Sequence, residues 1–153
     1  MKQLQPVLVS ACLLGLNTRY DGQTKQCRAV KEYLEQHQLL PIPICPEQLG
    51  GLTTPRCASS FKCGDGLAVV NGTGALCTEI GQDVTANFLS GAQQSLLIAQ
   101  LTGCSSAIFK QRSPSCGVNF IYQGQHIIAG QGVTTALLAQ HGITIISEED
   151  LAD

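Results

Sequence analysis

Short apolar runs alternate with amphipathic stretches along most of the chain. Val7-Leu8-Val9-Ser10-Ala11-Cys12 is β-branched and almost wholly apolar, the pattern of a strand buried on both faces. From Lys25 to His37, Cys27, Val30 and Leu34 fall at spacings of three and four, which predicts a helix with one apolar face. Leu39 to Ile44 reads as a second buried strand, made irregular by Pro41 and Pro43. Leu67-Ala68-Val69-Val70 and Ala75-Leu76-Cys77-Thr78 flank Asn71-Gly72-Thr73-Gly74, a hairpin signal. Val84, Phe88, Ala92 and Leu96 repeat at four in a predicted long helix from Val84 to Leu101, with Asp83 as its N-cap. Ser106 to Lys110 is the third core strand, Asn119 to Ala129 a hairpin around Gln123-Gly124, and Val133 to His141 a helix closed by Gly142. Ile143 to Ile146 is the last strand.

Strands alternating with helices predict an α/β fold: a small, mostly parallel, Rossmann-like sheet flanked by helices, with β-hairpin excursions and right-handed connections. The 153 residues suit one core, and no repeat or linker divides them, so a single domain over 1–153 is expected.

Composition narrows the partners. With a net charge of −2 and no basic block, duplex nucleic acid is not an expected partner, although a single base-like molecule is not excluded. The polar start at Met1-Lys2-Gln3 is no secretory signal, and the apolar runs are too short for a membrane span, so a cytoplasmic location is expected. Oligomeric state is left open. Eight cysteines without an export signal, in a chain patterned to build its own core, point to reduced thiols rather than a disulfide framework.

In open α/β sheets, ligands bind beyond the carboxyl ends of the strands. Cys12 ends the first strand, Cys45 follows the second, and Cys116 lies on the loop after the third, so three connections each deliver a thiol to one edge. Ser113-Pro114-Ser115-Cys116-Gly117 is a tight polar loop whose backbone N–H groups can face an anion, or simply a turn that buries a Cys. Cys45-Pro46-Glu47 brings a carboxylate beside a thiol, able to move protons or merely to start a turn. Asp21 is a second carboxylate or an Asx-turn residue. Lys110, Arg112 and Arg56 are either solvated charges or holders of an anionic substrate.

The remaining cysteines are weaker candidates. Cys27 fits a helix core face, Cys77 a hairpin strand, and Cys104 precedes the third strand. Cys57 and Cys63 lack zinc spacing, there is no C-x-x-C, and His37, His126 and His141 show no ligand spacing. No Walker loop or dinucleotide fingerprint is present. Three thiolates select an iron–sulfur cluster, zinc or Cu(I). A four-iron cubane on three Cys leaves one iron open as a Lewis acid, zinc with three Cys and water is the direct competitor, and a metal-free nucleophilic Cys comes third.

Ser10-Ala11-Cys12-Leu13-Leu14-Gly15, Arg19-Tyr20-Asp21-Gly22, Cys45-Pro46-Glu47-Gln48-Leu49-Gly50-Gly51-Leu52, Pro55-Arg56, Gly81-Gln82-Asp83-Val84-Thr85 and Ser113-Pro114-Ser115-Cys116-Gly117 occur in this order. Together they resemble the family catalogued as domain of unknown function 523, over about residues 7 to 147. That family includes iron–sulfur-dependent thiouracil desulfidases. The resemblance implies a 4Fe–4S cluster held by Cys12, Cys45 and Cys116, and a non-redox reaction. On that resemblance the thiocarbonyl sulfur of a small thiolated substrate would bind the open iron, and the C–S bond would break after water adds. Glu47 matches the motif carboxylate and is expected as acid/base, with Ser113 or Ser115 orienting substrate and Asp21, Arg56 and Lys110 as its contacts. After Pro55-Arg56 the family pattern is proline-rich and acidic, whereas Cys57-Ala58-Ser59-Ser60 stands here, a change in the expected pocket wall. A non-catalytic metal- or cluster-binding module, or a sulfide carrier, is the other reading.

Overall fold

In the computed structural model, which describes residues 3–151, Val7 and Val9 turn to one face of a sheet and Leu8 to the other. That strand, β1 (Gln5–Ser10), is followed by α1 (Arg28–Gln36), β2 (Leu39–Ile44), α2 (Pro46–Leu49), β3 (Ser59–Cys63), α3 (Gly66–Val70) and β4 (Ala75–Thr78). Then come α4 (Thr85–Thr102), β5 (Ser106–Phe109), β6 (Phe120–Gln123), β7 (His126–Ala129), α5 (Val133–Gln140) and β8 (Thr144–Ser147). Met1-Lys2 and Ala152-Asp153, the ends of the expected single domain, lie outside the described residues.

The core sheet runs β2-β1-β5-β8, with every pairing parallel. Val30 and Leu34 of α1 pack on Val7, Val9 and Ile108. Ala99 of α4 and Leu138 of α5 pack with Leu8, Ile44, Ala107 and Phe109 on the opposite face. Burial on both faces explains why β1 reads as a continuous apolar run. The chain moves from β1 to β2 on one side and later returns to β5 on the other. The strand order therefore reverses between β1 and β5, the switch point at whose carboxyl edge open α/β sheets bind their ligands.

The excursions join into a second sheet, β4-β3-β6-β7, which local pattern did not predict. Two antiparallel pairs meet through a parallel contact of Phe61 with Gln123. Phe61, Leu76 and Ile121 bury against Phe88 and Ala92 of α4 and against Val133. Since α4 lies between both cores it has no single polar face, and its fully buried Ser95 donates to the Gly91 carbonyl at 2.8 Å. The whole is one small α/β domain with a mostly parallel, Rossmann-like sheet and hairpin excursions.

One predicted strand is a helix. Leu67-Ala68-Val69-Val70 lies in α3, and β4 pairs with β3 instead. The Asp65 carboxylate accepts from the Ala68 amide at 3.1 Å, an N-cap, and the Thr73 and Gly74 amides close the far end on the Ala68 carbonyl at 2.8 and 3.1 Å. Capping decides a four-residue apolar run that periodicity cannot. Asp83 acts one residue earlier than expected: Val84 is the N-cap, and the Asp83 carboxylate accepts from the Thr85 amide at 2.8 Å. β1 stops at Ser10, which leaves Cys12 in a 3-10 turn, Ala11–Leu14.

The backbone of α2 presses on α4. A Cβ added at Gly91 would fall on the Pro46 carbonyl oxygen, so only glycine lets the two helices meet there. Gly91→Ala is expected to destabilise the fold by about 3 kcal/mol and to displace the turn that carries Glu47. A urea midpoint equal to that of the parent chain would refute this.

Candidate metal centre

Each cysteine of the expected triad is set by local geometry. The Cys12 carbonyl accepts from the Thr24 hydroxyl at 2.9 Å and the Lys25 amide at 3.0 Å, which folds the following loop back over the turn. Cys45 is the extended N-cap residue of α2, and Pro46, whose missing N–H costs nothing at the first helical position, starts the turn. The Cys45 thiol faces the Thr18 carbonyl at 3.6 Å. In the third loop the Ser113 hydroxyl accepts from the Cys116 amide at 3.1 Å, and the Gly117 amide donates to the Ser113 carbonyl at 2.7 Å. The amides of Val133 and Thr134 donate to the Pro114 and Ser115 carbonyls at 3.0 and 2.9 Å, and the Thr135 hydroxyl donates to the Cys116 carbonyl at 3.0 Å. The start of α5 thus clamps the Cys116 loop.

Burial pushes the Cys12 thiol up to about 11, the Lys110 cation opposing it and the charge of Cys45 adding to it. Burial pushes Cys116 up to about 12 against the pull of the Ser10 and Ser115 hydroxyls, with Cys45 and Cys12 both adding. Burial also raises Cys45. Cys12 and Cys116 thus each feel the charge of another thiol, and burial holds all three above the ordinary cysteine value. All eight cysteines are free thiols. Among the described residues no three Cys, His, Asp or Glu side chains close around a single ion-sized point. Three soft donors, one from each connection, suit a thiophilic metal or an iron–sulfur cluster by their chemistry.

These raised thiols couple stability to pH. Above the unfolded cysteine value near 9, the unfolded chain loses protons that the folded chain retains, so stability falls as pH rises. The metal-free protein is expected to weaken from about pH 9 towards pH 11, by up to about 1.4 kcal/mol per unit for each thiol. Urea midpoints at about pH 8 and about pH 10 measure this slope, which Cys12→Ala should flatten; an unchanged slope in that variant would refute the coupling.

Glu47 and Arg56 form a buried pair at 3.1 Å, their side chains 12% and 7% exposed. The same guanidinium donates to the Thr18 carbonyl at 2.9 Å, the Thr53 carbonyl at 3.1 Å and the Thr54 hydroxyl at 2.7 Å, and lies 3.9 Å from the Cys45 sulfur. Arg56, expected to meet substrate, thus spends its donors inside the protein. The other Glu47 oxygen accepts from the Ser115 hydroxyl at 3.1 Å, and Ser115 lies 3.7 Å from the Cys116 sulfur. Ser113, its hydroxyl 3.1 Å from that of Ser115, fastens the loop. Asp21 accepts from the Gln23 amide at 3.1 Å and pairs with Arg19 at 3.7 Å, the arrangement of an Asx turn. Lys110 stands on the Cys12 side, and Arg112 pairs with Glu149.

Three contributors escaped the sequence reading. Ser10 is fully buried and accepts from the Lys110 amide at 3.0 Å; its polar side chain inside an apolar run was a usable signal. Gln111 and Glu148 are buried polar residues in stretches that read as loop and chain end, and no local pattern marked them.

Three free thiols and a carboxylate in the connections that follow parallel strands belong to a small α/β domain with a mostly parallel, Rossmann-like sheet. The family model described as 2-thiouracil desulfurase matches residues 7–150, and the chain belongs to that family, the domain of unknown function 523 family. It is 40% identical over 150 residues to YbbK of Bacillus subtilis (strain 168), which covers 96% of this chain and 98% of that protein. The solved structure of the 4Fe–4S-dependent thiouracil desulfidase TudS is 39% identical, with a TM-score of 0.81 over 96% of this chain and 93% of that one. Among the described residues no helix is long and apolar enough to cross a membrane.

Proposed function

We propose that this protein is a desulfidase of a small thiolated compound such as thiouracil, with Cys12, Cys45 and Cys116 holding a 4Fe–4S cluster. The observation that carries this reading is the Glu47–Ser115–Cys116 chain of contacts, which ties a buried carboxylate to the thiol neighbourhood in a member of the desulfurase family. When bound, the cluster supplies an open iron as a Lewis acid for the substrate sulfur. Glu47 takes the proton of the water that adds to the thiocarbonyl carbon, and returns it as the C–S bond breaks, so oxygen replaces sulfur and sulfide leaves without net oxidation. Arg56 and Ser115 hold one carboxylate oxygen each, which fixes the direction in which the proton moves. Lys110 offers its ammonium to an electron-rich substrate atom on the Cys12 side.

Anaerobic loading with iron and sulfide, followed by 2-thiouracil or 4-thiouracil, tests the reading. About four irons per chain and stoichiometric release of sulfide and uracil are expected. Iron uptake without turnover would leave a cluster-binding module or sulfide carrier, and one zinc with no iron would overturn the cluster.

A further inference from the structure

Glu148 is a buried carboxylate to which the chemistry above assigns no part. Its side chain is 10% exposed, and both of its oxygens are engaged. One accepts from the Gln111 amide at 2.7 Å and the Ser147 hydroxyl at 2.9 Å. The other pairs with the Lys110 ammonium at 3.4 Å. The two residues it holds are consecutive, immediately after β5, where the chain leaves the sheet for the Cys116 loop.

Each has a further task. The Lys110 ammonium also donates to the Gln111 carbonyl at 2.9 Å, and the Lys110 amide donates to the Ser10 hydroxyl at 3.0 Å, two residues before Cys12. The Gln111 side-chain carbonyl accepts three consecutive amides, those of Val118, Asn119 and Phe120, at 2.8 to 3.0 Å. That closes the Cys116 loop at its far end. Arg112, next in line, takes a left-handed φ of 67° and is held by its pair with Glu149. Glu148 itself is rigidly presented: the Ser147 hydroxyl and Asp150 carboxylate form a capping box around its turn.

We propose that Glu148 is the positioning residue for the Cys12 side of the site, holding the Lys110 ammonium at the carboxyl end of β5 and the Gln111 amide at the root of the Cys116 loop. The site then has two carboxylate–cation pairs, Glu47–Arg56 beside Cys45 and Lys110–Glu148 beside Cys12. In the first the cation restrains the working carboxylate. In the second the carboxylate restrains the working cation. The catalytic half of this inference rests on the desulfidase reading; the structural half does not.

Two variants separate the halves. Glu148→Gln keeps an oxygen for the Gln111 amide and removes the charge that holds Lys110; Glu148→Ala removes both. In metal-free protein, native-state alkylation of Cys116, followed by peptide mass spectrometry, is expected to speed up at least about tenfold in Glu148→Ala and to change little in Glu148→Gln. In anaerobically loaded protein, Glu148→Gln is expected to keep its iron and to raise KM for the thiopyrimidine about tenfold, with a smaller change in kcat. Lys110→Met should do the same, and the double variant no more than Lys110→Met alone. Unchanged KM in Glu148→Gln, or effects that multiply in the double variant, would overturn the proposal, as would unchanged Cys116 labelling in Glu148→Ala. If loaded wild-type protein releases no sulfide, the desulfidase reading is what fails, and the labelling still decides whether Glu148 pins the loop.

Discussion

Cys116→Ala is expected to leave a folded chain that no longer takes up iron. The thiol is buried in the core shared by β5, α4 and α5, and its removal trims one sulfur from that core, at a cost of about 1 kcal/mol. The loop itself is held by Ser113, Thr135 and the α5 amides, none of which needs the thiol. Stability should therefore survive while ligation does not. A cubane with one open iron has no spare protein ligand, and two thiolates from separate loops leave a second iron exposed to water and oxygen. Visible absorption and iron content after anaerobic loading should fall by about tenfold or more. Cys12→Ala and Cys45→Ala should behave alike, whereas Cys57→Ala and Cys63→Ala, whose thiols are exposed, should load normally. Full iron uptake by any one of the triad variants would remove that residue from the ligand set.

Glu47→Gln is expected to keep the cluster and lose the reaction. The amide is nearly isosteric, and its carbonyl still accepts from Arg56 or Ser115, so the turn that starts at Pro46 is preserved. What goes is the proton acceptor. General acid–base groups contribute about 100-fold to 10,000-fold, and kcat should drop in that range while absorption and iron content stay at parent levels. Ser115→Ala should cost less, because Arg56 still holds the carboxylate. Retention of full activity in Glu47→Gln would end the acid/base assignment. Arg56→Ala would test something else, since it strands a buried carboxylate, and loss of one partner of such a pair destabilises by about 3 to 5 kcal/mol.

Residues that signal through neighbours in the chain were read correctly. The core strands and the three longer helices lie within a few residues of their predicted bounds, since apolar spacing reports directly on which face is buried. Topology puts Cys12, Cys45 and Cys116 in the connections after three parallel strands, which all lead to one edge; their convergence on one site is the expectation that iron loading tests. Short elements were harder. Val69 and Val70 look like strand residues, and it took the Asp65 cap to make them helical.

Local periodicity alone, then, yields the parallel α/β sheet and places Cys12, Cys45 and Cys116 in the connections after β1, β2 and β5, because strand burial and loop placement are written along the chain. Only the tertiary structure decided that the excursions share a second sheet, that Arg56 clamps Glu47, and that Glu148 reaches Lys110 and Gln111. Those choices rest on contacts between residues remote in sequence, 68 positions for Ser115 with Glu47 and 37 for Gln111 with Glu148. A buried polar atom takes whatever partner the packed elements bring within hydrogen-bond distance, since leaving it unpaired costs more than the bond gains. No spacing along the chain encodes that partner.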